Sequence, residues 1–214
     1  MKSLLLGILL IVILGVGGLI YRNAIEHPSQ PIACPMDAKL CPDGTSVGRE
    51  GLSCTFPACP PPNVTLADTG LAFALPAGYV ASTATSNASV LATFVSPSLA
   101  TTTQSIVIYQ YPIDASSTAL DIIQSSAIND ASGAPVSPSA FTSTTLGNHD
   151  FSVVLLGRFE GVVHYAYYLA RGSDVLRFDA IQSGVTNWTD PALDPTKLPV
   201  NQDLRALLTT LQGA

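Results

Sequence analysis

Cysteine is the residue whose type and spacing point most directly to chemistry in this chain. All four cysteines lie between positions 34 and 59, with the spacing C-x6-C-x12-C-x4-C. Thiols so close together can form two disulfides or a four-thiolate zinc site. Structural zinc sites usually pair their cysteines in C-x2-C knuckles, which this spacing lacks. The pattern therefore predicts two disulfides, formed by Cys34, Cys41, Cys54 and Cys59 in an oxidising compartment.

The pairing is a separate question, because four cysteines allow three pairings. Interleaved bridges, Cys34 to Cys54 and Cys41 to Cys59, each close a loop of roughly 20 residues, and loop entropy assigns each about 3 kcal/mol. Bridges between neighbouring cysteines close shorter loops and stabilise less. Loop entropy thus favours the interleaved pairing, while the other two pairings stay open.

Histidine is the second candidate, since it can act as a general base or a metal ligand. His27 falls in a linker, whereas a hydrolase would need His149 or His164 beside an activated serine, and no Gly-x-Ser-x-Gly elbow occurs. His149, Asp150 and Glu160 could bind a metal across neighbouring strands, but solvated turn residues are the simpler interpretation. We expect His164 to be a solvent-facing or partly packed strand residue. No catalytic, cofactor-binding or metal residue is assigned.

An aromatic surface is the third candidate. Tyr165, Tyr167 and Arg177 could line one face of a sheet as a groove for a peptide or a glycan. The alternative is ordinary cross-strand packing, with Arg177 paired to Asp179 or Glu160. We expect the packing arrangement.

The charge of the chain limits its partners. Nine basic and fifteen acidic residues give a net charge of −6, and no lysine or arginine occurs between Arg49 and Arg158. Nucleic acids are bound by basic surfaces that neutralise phosphates, and anionic lipid surfaces also attract basic residues. We therefore expect no nucleic-acid partner and no binding of anionic lipid by the globular part.

Residues 4–20 form an unbroken apolar run after the short positive segment Met1-Lys2-Ser3. As a helix the run is roughly 26 Å long, just enough to cross the hydrocarbon core of a bilayer. The following residues 19–24 match a cleavage site poorly, and a lipoprotein cysteine would lie closer to the run than Cys34 does. The sequence favours an uncleaved signal anchor, with a cleaved signal peptide as the main alternative. We expect a single-pass protein of the cytoplasmic membrane, with its C-terminal domain outside the cytoplasm.

These features divide the chain into five predicted segments. They are a transmembrane signal anchor at 1–23, a linker at 24–33, a cysteine-rich module at 34–59, a proline-rich spacer at 60–66 and a globular domain at 67–214. The module is too short to bury a core, so disulfides are its expected source of order. The prolines of the spacer favour an extended conformation.

The first half of the globular domain predicts strands followed by a helix. Alternating or β-branched segments predict strands at 71–75, near 79, at 90–95 and at 105–111. The helix would begin with a cap at Ser116 or Ser117 and end near Asn129. Its apolar face would consist of Leu120, Ile123 and Ala127.

The second half predicts an antiparallel meander and a closing helix. The strands fall at 141–146, 151–156, 162–170 and 175–181. The turn at 157–161 contains glycines but no phosphate-loop lysine, so it predicts a hairpin turn. The last helix begins near Asn201 and has an apolar stripe of Leu204, Leu207, Leu208 and Leu211. The expected fold is α+β, an antiparallel sheet flanked by two helices.

Two resemblances accompany these patterns. The string from Leu40 to Arg49, followed by Cys54 and Cys59-Pro60, resembles a small cysteine-rich motif of envelope proteins from candidate-phyla bacteria, a family without an activity to transfer. Its Cys-Pro-Asp-Gly portion is also similar to Kazal-type protease inhibitors, which have six cysteines where this chain has four.

The globular domain resembles the PsbP/Mog1-like superfamily over roughly residues 67–212. The resemblance rests on the order of elements, on the hairpin Phe73-x-Leu75-Pro76-x-Gly78-Tyr79 and on the tyrosine-rich strand at 165–168. Members of that superfamily act mostly as binding or assembly factors. The resemblance therefore implies an α+β domain that binds a partner without catalysis, and it transfers no functional residue.

The sequence thus leads us to expect a membrane-anchored extracytoplasmic domain that binds an envelope protein partner and needs no cofactor. The rival hypothesis is an envelope hydrolase acting through His149 or His164, or a protease inhibitor acting through the cysteine module.

Overall fold

The computed structural model describes residues 7, 11–19, 21–22, 33–41, 46–59, 61–66, 69–83, 88–96 and 102–213. The chain divides into two compact units, one of residues 1–37 and 48–57 and the other of residues 38–47 and 58–214. The predicted linker at 24–33, with His27, lies outside the described residues except for Ala33.

The first unit begins with helical residues at 7, 11–19 and 21–22. Within the described part of the chain, no helix is both long enough and apolar enough to cross a membrane. Much of the predicted anchor at 1–23 falls outside the described residues. The same unit contains the disulfide Cys34–Cys54, with 5.3 Å between the Cα atoms, and an ion pair between Arg49 and Asp37.

The second unit begins with β1 (Ala38–Leu40), which pairs with β2 (Ser46–Gly48). Cys41, next to β1, is buried and forms a disulfide with Cys59, with 5.6 Å between the Cα atoms. The two disulfides of the chain are therefore interleaved, as loop entropy predicted. The chain then enters β3 (Val64–Leu66), which pairs with β4 (Leu71–Phe73).

A seven-stranded sheet forms the body of this unit. Every neighbouring pair is antiparallel, and the strand order is β5-β6-β7-β11-β10-β9-β8. The strands are β5 (Val80–Ala81), β6 (Val90–Ser96), β7 (Gln104–Pro112), β8 (Thr142–Leu146), β9 (His149–Phe159), β10 (Val162–Ala170) and β11 (Asp174–Gln182).

One long connection sets this topology. After β7 the chain forms α1 (Ala119–Ser126) and a short 3-10 helix (Pro138–Ala140), and then begins β8 at the far edge of the sheet. The meander from β8 to β11 returns toward β7, so that β11 pairs with both β10 and β7. A second 3-10 helix (Pro195–Lys197) leads into α2 (Pro199–Thr209).

The two helices cover opposite faces of the sheet, because alternate residues of a strand point to opposite sides. Leu176, Phe178 and Ala180 of β11 belong to a large core with α2, which contributes the predicted leucine stripe; we call this side the α2 face. Val175 of β11 belongs to a smaller core with Ile123 and Ala127 of α1, on what we call the α1 face. The prediction of an α+β fold with two helices flanking an antiparallel sheet is confirmed.

Several local predictions need correction. The expected hairpin from Phe73 to Tyr79 does not form, because β4 pairs with β3 and β5 pairs with β6. β3 was missed, since its three residues are too few to show alternation.

The helix α1 ends at Ser126 rather than near Asn129. The cap of α1 is Thr118 rather than Ser116 or Ser117, because Thr118 and Asp121 form a reciprocal capping box. Leu120 does not share the buried face of α1, since it is 60% exposed. Ile123 and Ala127 are buried in the smaller core, and Ala119 and Ile122 pack against it.

Candidate functional site

Four charged residues are grouped on the α1 face of the sheet. His164 of β10 lies between two carboxylates: its Nδ1 is 2.9 Å from Oδ2 of Asp130, and its Nε2 is 2.8 Å from Oδ2 of Asp179. Asp179 is fully buried and His164 is 8% exposed. Because each ring nitrogen meets a carboxylate oxygen, both nitrogens donate and the imidazole is held in its charged form.

Arg177 completes this group, which we call the charged cluster (Asp130, His164, Arg177, Asp179). Its Nε and Nη2 donate to the two carboxylate oxygens of Asp179 at 2.7 and 2.6 Å, a bidentate arrangement. Its Nη1 donates to the backbone carbonyl of Ser126, at the end of α1. Two cations and two anions balance, so the cluster can remain buried under the helix.

Gly157 makes room for Asp130. The pairing of β9 with β10 shifts register between His164 and Tyr165, and Gly157 lies directly opposite His164. A Cβ atom at Gly157 would lie 2.3 Å from Oδ2 of Asp130. The loop after α1 is fixed to the same strand, because the Asp130 amide donates to the carbonyl of Leu156 at 3.1 Å.

The ionisation of the cluster follows from these contacts. Burial opposes the charged imidazole, but the hydrogen bonds and charges of Asp130 and Asp179 outweigh it and raise the pKa of His164 to about 9. The hydrogen bond from His164 lowers the pKa of Asp130 below its ordinary value. A histidine with both nitrogens engaged has no free nitrogen to accept a proton from a nucleophile. The cluster therefore holds α1 and its following loop against the sheet.

A cavity of about 440 Å³ lies next to the cluster, between the end of β7 and α1. Its walls combine an aromatic ring, hydroxyl groups, a carboxylate and two apolar side chains. The residues are Tyr111, Pro112, Asp114, Ser117, Ile122, Ser125 and Ser126. Ser126 belongs to both structures, since its carbonyl accepts from Arg177 and its side chain lines the cavity. The cluster thereby fixes one wall of the cavity.

The hydrogen bonds of the walls leave mainly acceptors toward the cavity. Ser125 and Ser126 donate their hydroxyl hydrogens to the carbonyl of Ile122, at 3.3 and 2.6 Å, so their oxygens keep free lone pairs. In the loop, Oδ1 of Asp114 accepts from the amide and hydroxyl of Ser116 and from the hydroxyl of Ser117. All three of these bonds go to Oδ1, so they leave the other carboxylate oxygen of Asp114, Oδ2, as a further acceptor.

Tyr111 forms the sheet side of the cavity, and Tyr109, which is not a lining residue, packs beside it. The rings of Tyr109 and Tyr111 are stacked, with centroids 6.1 Å apart and planes inclined by 11°. The guanidinium of Arg177 lies 4.9 Å from the centroid of the Tyr109 ring, a cation–π contact. Burial, followed by the charge of Asp179, raises the pKa of Tyr109 to about 12.

Tyr168 lies beneath this wall. The residue is 1% exposed and its hydroxyl oxygen is buried. Burial raises the pKa of Tyr168 to about 12, whereas the charge of Arg177 and the side chain of Ser126 lower it. Tyr168 is not among the residues that line the cavity, so it supports the wall from inside.

The metal hypothesis for His149, Asp150 and Glu160 is wrong. His149 and Asp150 are at the start of β9 and Glu160 follows its end, a separation of roughly 35 Å along an extended strand. His149 instead lies near the carbonyl of Leu211, and Asp150 accepts from Thr145. Within the described residues, no group of three or more His, Cys, Asp or Glu side chains could hold a metal ion.

The hypothetical groove of Tyr165, Tyr167 and Arg177 is also wrong. Arg177 pairs with Tyr168 across the strands, so it lies on the α1 face, whereas Tyr165 and Tyr167 pack with the core of the α2 face. The four-residue turn at 171–174 places Ala170 opposite Val175, and this register already implies Tyr168 opposite Arg177. The pairing of Arg177 with Asp179, the alternative, is confirmed.

Two other expectations have clear outcomes. A hairpin turn joins β9 and β10 as predicted, but it consists of Glu160 and Gly161 alone, both with positive φ, because β9 extends to Phe159 opposite Val162. His164 packs within the sheet instead of facing solvent, because two carboxylates compensate its burial.

The sequence analysis did not identify Asp130 or the cavity as parts of a site. The only signal in the sequence was the stretch around α1, which is rich in hydroxyl and acidic side chains.

Comparisons with known proteins do not assign a family. No family model matches the chain, and no curated protein matches it. Among solved structures, a crystal structure from Bacteroides thetaiotaomicron is similar at a TM-score of 0.40 and 8% identity, over 66% of this chain. The match covers 44% of that protein, so this chain spans less than half of its length. At this level the likeness supports no statement about fold or function.

Proposed function

We propose that this protein is a membrane-anchored extracytoplasmic binding domain without catalytic activity, and that it binds an envelope component in the cavity between β7 and α1. The observation on which the proposal depends is the junction of cavity and cluster at Ser126. The cluster neutralises its own charges and fixes a wall of the cavity, an arrangement suited to holding a ligand. His164 has both ring nitrogens engaged, which argues against a role as general base.

Two observations support the proposed location. Two disulfides are most useful in an oxidising compartment outside the cytoplasm. Large apolar side chains of the N-terminal helical residues are exposed, among them Ile11, Leu14 and Leu19, and exposed apolar surfaces of this kind favour contact with a membrane. Thiol alkylation of intact cells tests the location: we expect no labelling without a reductant, whereas four reactive thiols would contradict it.

The proposal includes membership of the PsbP/Mog1-like superfamily. The support is the order of elements, with a helix before a four-stranded meander and a closing helix. The expected hairpin from Phe73 to Tyr79 gives no support, since β4 pairs with β3 and β5 pairs with β6. Binding and assembly roles in that superfamily agree with a non-catalytic domain.

Photo-crosslinking in the full-length chain tests the binding function. A photoreactive benzoylphenylalanine at Ser125, on the rim of the cavity, should give a defined adduct with an envelope component in living cells. The matched control is the same group at Gln202, an exposed residue of α2 on the opposite face of the sheet. Adducts that are absent at Ser125, or identical at both positions, would overturn the proposal.

A further inference from the structure

We propose that the outer edge of β8 binds an extended basic peptide of a partner protein by strand addition. One apolar side chain of the peptide enters a small cavity beside α1, and one basic side chain meets Asp150. This surface is separate from the cavity between β7 and α1 and goes beyond the binding function proposed above. The starting observation is the open edge, since β8 is the last strand of the sheet and, among the described residues, pairs with β9 alone.

The backbone of β8 presents donors and acceptors along this edge. A two-residue turn at 147–148 joins β8 to β9, so the flanking residues Leu146 and His149 form a hydrogen-bonded pair. Hydrogen-bonded and non-hydrogen-bonded pairs alternate in an antiparallel ladder, so the amides and carbonyls of Ser143 and Thr145 point away from β9. Within the described part of the chain, no hydrogen bond to these groups is found. They are free to pair with an added strand.

The composition of β8 leaves its edge open to pairing. Exposed sheet edges are usually short, or they carry lysine, proline or a bulge that prevents another strand from adding. The strand at the opposite edge, β5, has two residues. β8 has five residues, Thr-Ser-Thr-Thr-Leu, with neither a charge nor a proline, and its register with β9 is regular. Of the two edges, β8 is therefore the one suited to strand addition, a common mode of peptide recognition.

A cavity of about 120 Å³ lies on the α1 face beside this edge. Its lining is mainly apolar and consists of Leu120, Ile123, Gln124, Pro138, Phe141 and Ser152. The volume equals that of about four water molecules in the liquid, which suits one side chain rather than a whole ligand. Ser152 of β9 lies opposite Ser143, so these two small side chains point to the same face. An apolar side chain of an added strand, placed next to Ser143, reaches across it into this cavity.

Charge favours a basic peptide. No lysine or arginine occurs from residue 50 to residue 157, a range that contains α1, β8 and nearly all of β9. Asp150 lies opposite Thr145 and is exposed, and one of its oxygens accepts from the Thr145 hydroxyl at 2.6 Å. The other oxygen remains as an acceptor for a lysine or arginine of the added strand. A second copy of this chain, with a net charge of −6, would bring the same acidic surface and be repelled.

The two contacts set the spacing of the peptide residues. Ser143 and Thr145 are two positions apart, so their side chains share the α1 face. In an antiparallel added strand, the residue opposite Thr145 comes two positions before the residue opposite Ser143. The expected pattern is therefore a basic residue, any residue, and then an apolar residue.

Fluorescence anisotropy with defined peptides tests the proposal on the full-length chain in a zwitterionic detergent. The probe is the labelled peptide Thr-Val-Thr-Lys-Thr-Leu-Thr-Val-Thr, acetylated and amidated at its ends. One comparator has glutamate in place of lysine. The other exchanges the lysine with the threonine after it, so that lysine and leucine point to opposite faces. We expect both comparators to bind at least about fivefold more weakly than the probe. No binding of the probe, or equal binding of all three peptides, would overturn the proposal.

Two pairs of variants locate the bound peptide. Leu120→Ala removes a wall of the cavity and should weaken binding of the probe about five- to tenfold. Its control is Val80→Ala on β5, since Val80 is 56% exposed and Leu120 is 60% exposed. Asp150→Asn should abolish the preference for lysine over glutamate, whereas Glu160→Gln, an exposed carboxylate after the other end of β9, should preserve it. An unchanged affinity in Leu120→Ala, or an unchanged preference in Asp150→Asn, would contradict the proposal.

This proposal and the proposed function fail independently. Crosslinking at Ser125 tests the cavity between β7 and α1, which shares no lining residue with the cavity beside β8. If Ser125 crosslinks while the probe peptide does not bind, the strand-addition site is wrong and the binding function stands. If the probe binds while Ser125 gives no adduct, the cavity between β7 and α1 is wrong and the edge of β8 is the binding surface.

Discussion

The two faces of the seven-stranded sheet are built differently, although both lie against β11. The α2 face buries an apolar core of Leu176, Phe178 and the leucines of α2. The α1 face buries a smaller apolar core and, beside it, the charged cluster. A buried group of balanced charges often stabilises a fold no more than apolar residues of similar volume would. Stability is therefore concentrated on the α2 face, while the polar features suited to a site are concentrated on the α1 face.

The helices show the same division. The last helix, α2, has no side-chain cap bond and is held by four buried apolar residues, Val200, Leu204, Leu207 and Leu208. The shorter α1 has Ile123 as its one buried residue. A capping box holds its first turn, and the bond from Arg177 to the Ser126 carbonyl holds its last turn. The position of α1 therefore depends on polar contacts, and polar changes should affect the two faces unequally.

The largest expected effect is that of Asp179→Asn. The substitution leaves Arg177 and His164 buried with insufficient negative charge, and we expect a loss of about 3–5 kcal/mol in the free energy of unfolding. Urea denaturation with the disulfides intact measures it. The control is Asp174→Asn on the same strand, where the partner Arg171 is more exposed to water. A loss no larger than that of Asp174→Asn would mean that the α1 face does not depend on its cluster.

The next effect is a pH dependence centred on His164. Its pKa is raised from 6.5 to about 9 in the folded protein, so its contribution is fully present below pH 6.5 and is lost as pH rises through about 9. We expect the free energy of unfolding to fall by about 3 kcal/mol across this window. Asp130 titrates well below it, and Tyr109 and Tyr168 above it.

Urea titrations at several pH values check this dependence. His164→Gln should flatten the profile between pH 6.5 and 9, whereas His149→Gln, outside the cluster, should keep the wild-type slope. If both variants and the wild type fall in parallel, the charged imidazole is not a stabilising part of the α1 face.

A smaller effect is expected from Gly157→Ala. The added methyl group would collide with Asp130, which must move away from His164, and we expect a loss of about 1–3 kcal/mol. The matched control is Gly172→Ala, where nothing lies within 4 Å of the new Cβ. The variant should also lower the midpoint of the His164 pH profile. An unchanged midpoint would show that Asp130 contributes nothing to the raised pKa.

Local patterns in the sequence predicted most of the fold. The bounds of β10 at 162–170 match those observed, and the leucine stripe of α2 is buried as expected. These features depend on residues close together in the chain. Over such short ranges, the periodicity of apolar residues and the types of turn residues predict helices, strands and turns. Loop entropy, which also depends only on positions in the sequence, favoured the interleaved disulfides that are observed.

The site could not be predicted in the same way. Asp130 meets His164 only because the sheet brings β9 beside β10 and a register shift places Gly157 opposite His164. No local pattern encodes that meeting. The position of Arg177 is a different case, since the predicted strands at 162–170 and 175–181 leave residues 171–174 between them as a turn, and this spacing sets its cross-strand partner. Counting outward from the turn would have placed it on the α1 face.

The smallest expected effect concerns the capping box of α1. Thr118→Ala removes the capping box in which Thr118 Oγ1 accepts from the Asp121 amide and Asp121 accepts from Thr118. We expect a loss of about 1 kcal/mol. Because α1 is short and held by polar contacts, the loss should appear as local opening, with amide exchange in α1 accelerated about fivefold and exchange in α2 unchanged. Gln202→Ala, on the exposed side of α2, is the control. Equal acceleration in both helices would mean that α1 opens only when the whole sheet unfolds, and that its polar contacts are as firm as the apolar core on the opposite face.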